Sequence, residues 1–269
     1  MSKKKTNGPK ILIFDIETIY MKVWTWGLYD QNHPHSSVTD DWAVISWAAK
    51  WLGDSPKNVM YEDNRKAKNI RDDKKLLEKI WDLLNESDIV ITKNGIKFDV
   101  KKLNARFAIN KVRGGKPPSP YKHIDTERIA RGKFAFTSNS LDYLTEKLCK
   151  KYKKLKHKKY PGISMWHACA EGDMKAWNEM KRYNIHDVLS TEELYGILYP
   201  WDNSINFNLW RDGDEILCNC GSDDLQKRGF SRTSGGRYQR YQCQDCGTWT
   251  RSKENLLTKE KRKSLRPKA

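Results

Sequence analysis

Asp15 and Glu17 follow the apolar run Ile11-Leu12-Ile13-Phe14, and Ile16 separates them. The alternation of a strand would turn both carboxylates to one face. Side by side near a core, two such charges repel each other and lose hydration. Either a cation sits between them or the segment is a solvated strand end. Further acids bear on the choice. Asp99, in "TKNGIKFDVKK", lies just past a strand-like run, where Gly95 permits a tight turn into the next helix. Asp187 lies in "RYNIHDVLSTEELY", one helical turn after Tyr183. Asp125, in "HIDTE", is a candidate of lower rank.

The elements that must position these acids alternate along residues 10 to about 200, as in an α/β domain. Strand patterns are "KILIFDIE", "AVISWAAKWL", "NVMYED", "DIVITKN" and "KHIDTE", and the aromatic "VWTWGLYDQN" suits a half-buried pleat. Helix patterns are "RDDKKLLEKIWDLLNES", "DVKKLNARFAIN", "SLDYLTEKLCKKY" and a long one from Gly172 to Tyr199 entered through Asp173. On that last helix Trp177, Met180, Val188, Thr191, Tyr195 and Leu198 form a stripe suited to packing on a sheet. Tyr183 and Asp187 lie along its flank and would look toward the end of the first strand.

The formal net charge of +17 points to a polyanionic partner, most simply nucleic acid, because such a surplus repels itself otherwise. No apolar run is long enough to cross a bilayer, and the basic start "MSKKKTNGPK" leads into acids, unlike a secretory signal. Four of the six cysteines fall between 218 and 246, which suggests metal in a reducing compartment, hence the cytoplasm. Singly, each acid has an ordinary reading: an exposed Asp-x-Glu, an N-cap, a core Tyr beside a surface Asp. Together, ordered at element boundaries in a basic chain, four convergent carboxylates would bind two divalent cations through hard oxygens. Such a pair, roughly 3.5–4 Å apart, activates a water and steadies the leaving oxygen of a phosphodiester.

"FDIET", then "NGIKFD", then "YNIHD" resemble the three exonuclease motifs of the DEDD superfamily, DnaQ-like 3′–5′ exonucleases of RNase H-like fold. The resemblance covers residues 10 to 200. It implies a mixed sheet flanked by helices, with Asp15 and Glu17 from the first motif, Asp99 from the second and Asp187 from the third as ligands of two Mg²⁺ or Mn²⁺. Asp15, Glu17 and Asp187 would hold the ion that generates hydroxide, and Asp15 and Asp99 the ion facing the leaving 3′ oxygen. One branch of the superfamily has a His five residues before the last Asp. Here that place is Arg182, and Tyr183 stands four before, as in the tyrosine branch, where it would hydrogen-bond the attacking water. His186 fits neither role and reads as incidental. Asn94 touches substrate or shapes the turn. Similarity to phage-associated members is suggested by "WGLYDQN", "SWAAKWLG" and "FTSNSLDYLTEKL", which would put the protein in a host cytoplasm.

Eight lysines crowd residues 147 to 159, with Tyr152, His157 and Tyr160 among them. The plain reading is a solvated helix end. The functional one is a ridge tracking a nucleic-acid backbone through Lys150, Lys151, Lys153 and Lys154, with an aromatic to stack on a base. Trp166 and Trp177 read as core. "CNCG" at 218 and "CQDCG" at 243 look like the knuckles of a zinc ribbon around a hairpin that turns at Ser234-Gly235-Gly236. No histidine lies in this region, so the ligands of one structural Zn²⁺ are expected to be Cys218, Cys220, Cys243 and Cys246, although the first pair has one intervening residue where ribbons usually have two. The module would present Arg228, Arg232, Arg237, Arg240 and Arg251 to phosphates, or else contact a protein. From Ile216 on, 13 Lys and Arg face 5 acids. Cys149 and Cys169 read as half-buried thiols.

The expected organisation is a basic extension (1–9), the exonuclease domain (10–200), a linker (201–215), the zinc ribbon (216–251) and a basic tail (252–269). The expected activity is metal-dependent 3′–5′ exonuclease action on DNA rather than RNA, at single strands or 3′ ends. No polymerase domain is recognisable, so any proofreading would accompany a separate DNA polymerase. The rivals are a non-catalytic nucleic-acid binder and a structure-selective endonuclease or RNase H-type enzyme on the same core.

Overall fold

The structure is a computed structural model and describes residues 8–29, 31–155, 159–202 and 204–265. Most of the basic extension, the end of the tail, and Lys156, His157 and Lys158 of the lysine ridge lie outside the described residues. Two compact units emerge among the described residues: Lys10–Ile197, and a second formed by those from Leu198 onward with Gly8 and Pro9.

In the first unit, β1 (Ile11–Ile19) is followed by a short ribbon of β2 (Lys22–Val23) and β3 (Val38–Asp40), then by β4 (Ala43–Trp51) and β5 (Met60–Asp63). Next come α1 (Lys74–Glu86), β6 (Ile89–Thr92), α2 (Asp99–Ile109), β7 (Lys122–Asp125), α3 (Thr126–Lys133), α4 (Leu141–Leu148), α5 (Ser164–Ala170) and α6 (Met174–Leu198). The sheet order is β5-β4-β1-β6-β7, antiparallel among the first three strands and parallel among the last three. This is the mixed α/β architecture expected from the alternating patterns.

Each face of the sheet has its own core. Leu12, Phe14 and Ile16 of β1 pack with Val44 and Trp47 against Leu77, Ile80 and Leu84 of α1 and Leu103 and Phe107 of α2. Ile19, Ala43 and Ile45 face the other way, against Met165 of α5 and Trp177, Met180 and Tyr183 of α6. β1 pairs with β6 through Ile13, and its register with β4 shifts between Glu17 and Thr18. Asp15 and Glu17 thus fall where one neighbour has ended and the other is about to bulge, an arrangement that re-aims side chains at a strand end.

Asp73, just before α1, is fully buried and takes Arg106 in a two-point ion pair, 2.8 Å at each contact, while accepting the Val44 amide. The aromatic segment is the clearest departure. Among the described residues of "VWTWGLYDQN" only Val23 belongs to a strand, and Trp24, Trp26, Leu28 and Tyr29 stand exposed. Thr25 bonds to both backbone groups of Gly27, a local alternative to a ladder. The short helices α3 and α5 carried no clear periodicity and were not expected.

The second unit contains an antiparallel sheet of β8 (Leu225–Thr233), β9 (Gly236–Cys243) and β10 (Trp249–Arg251), and a short α7 (Lys259–Ser264). Thr233 pairs with Gly236, so the hairpin turns through Ser234 and Gly235, with Gly236 already in the strand. The expected linker of 201–215 is bound to the cysteine module: Phe207 donates its amide to the Asn219 carbonyl, and the Asn208 side chain donates to the Cys218 carbonyl at 2.6 Å.

Candidate active site

Asp15 and Glu17 project from β1 onto the face covered by α6, as strand alternation requires. Asp99 is the first residue of α2 and Asp187 lies midway along α6; both are 4% exposed, whereas Asp15 and Glu17 are half-buried. Asp99 accepts the Ile16 amide at 3.1 Å, and Asn184 donates to Asp15 at 2.6 Å, itself held by Ser46. The Trp166 indole donates to Glu17 at 3.0 Å, and its ring meets that of Tyr183 edge-on. Asn184 and Trp166 escaped the sequence reading. Asn184 is three residues before Asp187 on the same helix, so a search for polar groups at helical spacing would have found it. Trp166 gave no signal beyond composition.

Lys154 enters this cluster and pairs with Asp187 at 3.0 Å, with its ammonium 4.9 Å from the Tyr183 ring centre. It does so because the segment after α4 is laid across α6. The amides of Lys150, Lys151 and Tyr152 converge on the Glu193 carboxylate, and Lys154 donates its amide to Thr145. His186 is not incidental here, for its Nε2 donates to the Lys153 carbonyl. Lys150, Lys151 and Lys153 remain exposed, while Tyr152 packs edge-on to His186.

Asp125 is drawn into the turn. Its oxygens accept the amides of Asn94 at 2.8 Å, Ile96 at 3.2 Å and Glu127 at 2.9 Å, so it braces the loop that delivers Asp99. In that loop the left-handed residue is Asn94, with φ of 62°. Gly95 is required for a different reason than turn freedom: a Cβ there would lie 2.3 Å from the Thr92 hydroxyl, which accepts the Gly95 amide.

Burial and crowding raise the affinity of these acids for protons. Burial, then the charges of Asp99, Glu17 and Asp187, hold Asp15 well above the carboxylate range. Burial and then Asp187 push Glu17 to about 8, and burial pushes Asp99 to about 7. Burial also raises Asp187, against the pull of Lys154. Burial opposes the Lys154 charge, but Asp187 and Tyr183 outweigh it and keep the ammonium protonated. The folded metal-free protein therefore binds more protons than the unfolded chain between roughly pH 4 and 8. The stability from these groups is complete at low pH and is lost as pH rises through 7 and 8. Its melting temperature should accordingly fall by several degrees between about pH 5.5 and 8.5, and Asp99→Asn should flatten that slope. A midpoint rising over this interval would refute the assignment.

One oxygen tests whether the cluster suits a cation. Asp187 Oδ1 is buried and has no hydrogen-bond partner, although Oδ2 has Lys154. A buried carboxylate oxygen left unpaired carries a full desolvation penalty. The surrounding donors are all hard oxygens, the set that suits Mg²⁺ or Mn²⁺. The second unit holds a different set, four thiols whose sulfurs all lie within 4.8 Å of one another.

Those thiols are Cys218, Cys220, Cys243 and Cys246. Cys218 and Cys246 sulfurs lie 3.5 Å apart, and those of Cys220 and Cys243 3.9 Å. A tetrahedron with ~2.3 Å Zn–S bonds has edges of about 3.8 Å, so the group could bind zinc despite the short first spacing. Gly221 and Gly247, after each pair, have φ of 93° and 76°, as the knuckle turns require. Cys149 and Cys169 lie apart as buried thiols.

The sequence model of the RNase H superfamily matches residues 48–199, more than half of the chain. The chain belongs to the RNase H superfamily. RNase H superfamily nucleases use divalent metals at carboxylates, in keeping with the acidic cluster. The match begins after β1, but Asp15 and Glu17 are tied to it by the β1–β4 register, in which they face Ala48 and Ser46. No curated protein matches in sequence. Among solved structures, the fold is similar to that of the family B DNA polymerase from the hyperthermophilic archaeon Pyrobaculum calidifontis, at 19% identity and a TM-score of 0.52. That similarity covers 72% of this chain and 25% of the polymerase, so this RNase H superfamily chain spans about a quarter of the length it matches. Among the described residues no helix is long and apolar enough to cross a membrane.

Proposed function

We propose that this chain is a metal-dependent 3′–5′ exonuclease acting on single-stranded DNA or frayed 3′ ends. The observation that carries the reading is the unpaired, buried Asp187 Oδ1 among acids whose proton affinities are already raised by burial and then by one another. Asp15, Glu17 and Asp187 would hold one divalent ion, and Asp15 and Asp99 a second. Bound there, the ions supply the positive charge that acidifies the attacking water and neutralises the leaving oxygen.

The chain's own groups do the positioning. Asn184 fixes Asp15, Trp166 fixes Glu17, and the Ile16 amide fixes Asp99. Burial and then the Asp187 charge push the Tyr183 phenol up, so it stays protonated and orients the water as a donor or acceptor without acting as the base. Lys154 answers part of the negative charge through Asp187 Oδ2 and leaves Oδ1 open to a cation. The cysteine module would hold Zn²⁺ and add basic surface. Action beside a separate DNA polymerase and residence in a cytoplasm belong to the same reading.

Digestion of 5′-labelled single-stranded DNA and RNA with Mg²⁺ or Mn²⁺ tests it. The expected product is a ladder shortening from the 3′ end. Internal cuts would favour an endonuclease, and a shifted band without products a binder. Tyr183→Phe should lower turnover by about 10–100-fold, as expected of a group that orients a metal-bound nucleophile, and should leave the pH profile in place. A displaced alkaline limb would make the phenol the base instead.

A further inference from the structure

β8, β9 and β10 carry basic side chains and no acid: their sequences are LQKRGFSRT, GRYQRYQC and WTR. Their register sets like against like. Arg232 stands directly opposite Arg237, and Arg251 opposite Arg240. Directly opposed like charges destabilise a sheet, and a three-stranded module has little core with which to offset them. The pairs are thus poor for the module alone and suited to a polyanion laid across it.

The face bearing the second pair has a finer feature. Tyr238, Arg240 and Gln242 alternate along β9, with Arg251 opposite Arg240 and Trp249 opposite Gln242. Each arginine leans away from the other and onto a ring. The Arg251 guanidinium carbon lies 4.0 Å from the Tyr238 ring centre, and that of Arg240 lies 4.8 Å from Trp249. Tyr238 is seated over Gly236, where a Cβ would come within 2.5 Å of its hydroxyl. Trp249 is 50% exposed, and both arginines are exposed. Planar π surfaces and guanidinium planes therefore alternate across one acid-free face.

We propose that this face binds single-stranded nucleic acid through its bases, which stack on Trp249 and Tyr238 while Arg240 and Arg251 meet phosphates. Stacking on aromatic rings is open to unpaired bases of any identity and closed to bases hidden inside a duplex. A surface that gripped phosphates alone would need the arginines but not the rings. The inference rests on the proposed function only for the class of ligand and needs no cleavage.

The test uses the full-length, zinc-loaded protein carrying Asp99→Asn to prevent cleavage. Fluorescence anisotropy is read with a labelled oligo-dT and with a labelled hairpin duplex. Trp249→Ala should weaken oligo-dT binding about ten-fold, the loss expected for one stacked base, with duplex affinity unchanged. Trp249→Phe should restore most of the loss, and Tyr238→Leu, made independently, should reproduce it. One zinc per chain in each variant verifies the fold. The proposal is overturned if both substitutions leave oligo-dT affinity unchanged, if duplex affinity falls by the same factor, or if Phe fails to restore binding. Because no cleavage is read, either outcome leaves the exonuclease reading to its own assay.

Discussion

Asp99→Asn is expected to lower turnover on the order of 10³-fold or more, equivalent to about 4 kcal/mol of barrier, while the protein stays folded. The reason lies in the geometry around its carboxylate. Asp99 is buried at the start of α2 and spends one oxygen on the Ile16 amide, an acceptor role that an amide oxygen can keep. The substitution therefore removes charge and leaves the β1–α2 contact in place. It also removes one of the charges that raise Asp15, so the metal-free variant should melt higher than the parent near pH 8. Asp15→Asn should show the same pair of effects, keeping its bond to Asn184. Loss of activity together with unfolding would mean that these acids hold the fold together, and their proposed role would fail.

Cys243→Ser is expected to act elsewhere and as strongly. Four thiols stand at tetrahedral spacing, Cys218 and Cys243 among the unit's few buried side chains, and structural zinc supplies about 10–16 kcal/mol in modules of this kind. Without it the chain from Leu198 onward should lose its dispersed amide spectrum and its protease resistance, and affinity for long single strands should fall. Cys243 is the thiol best prepared for metal: burial resists its ionisation, but the Cys246 and Asp245 amides outweigh this and bring it to about 7. Turnover of a short oligonucleotide at saturation should persist, because the acidic cluster lies entirely within Lys10–Ile197. If ejecting zinc abolished that turnover, the division of labour between the two units would be wrong.

The parts of this protein legible in its sequence were those written in a strong local code. β1, β4 and β6 announced themselves as apolar runs, and α1, α2 and α6 as periodic ones, because burial on one face imposes those patterns. The alternation around Ile16 correctly put Asp15 and Glu17 on one face. What escaped depended on tertiary placement. The segment around Trp26 has the composition of a strand, yet past Val23 its described residues join no ladder and its aromatics stay exposed. Lys154 reads as one lysine among eight, and only the anchoring of its loop by Glu193 and His186 carries it to Asp187. Trp166 reads as core, which is half the account, since its indole also reaches Glu17. Gly95 was expected to free the backbone for a tight turn, but the positive φ belongs to Asn94, and the glycine is needed because a Cβ would meet the Thr92 side chain.

Calorimetric titration of the metal-free, zinc-retaining protein with Mn²⁺ bears most directly on the acidic cluster. Two ions per chain should bind, with protons released near pH 7 as Glu17 and Asp99 give theirs up, and Asp15→Asn should abolish the tight phase. Binding of no Mn²⁺, or binding that Asp15→Asn leaves intact, would show that these carboxylates do not form the metal site.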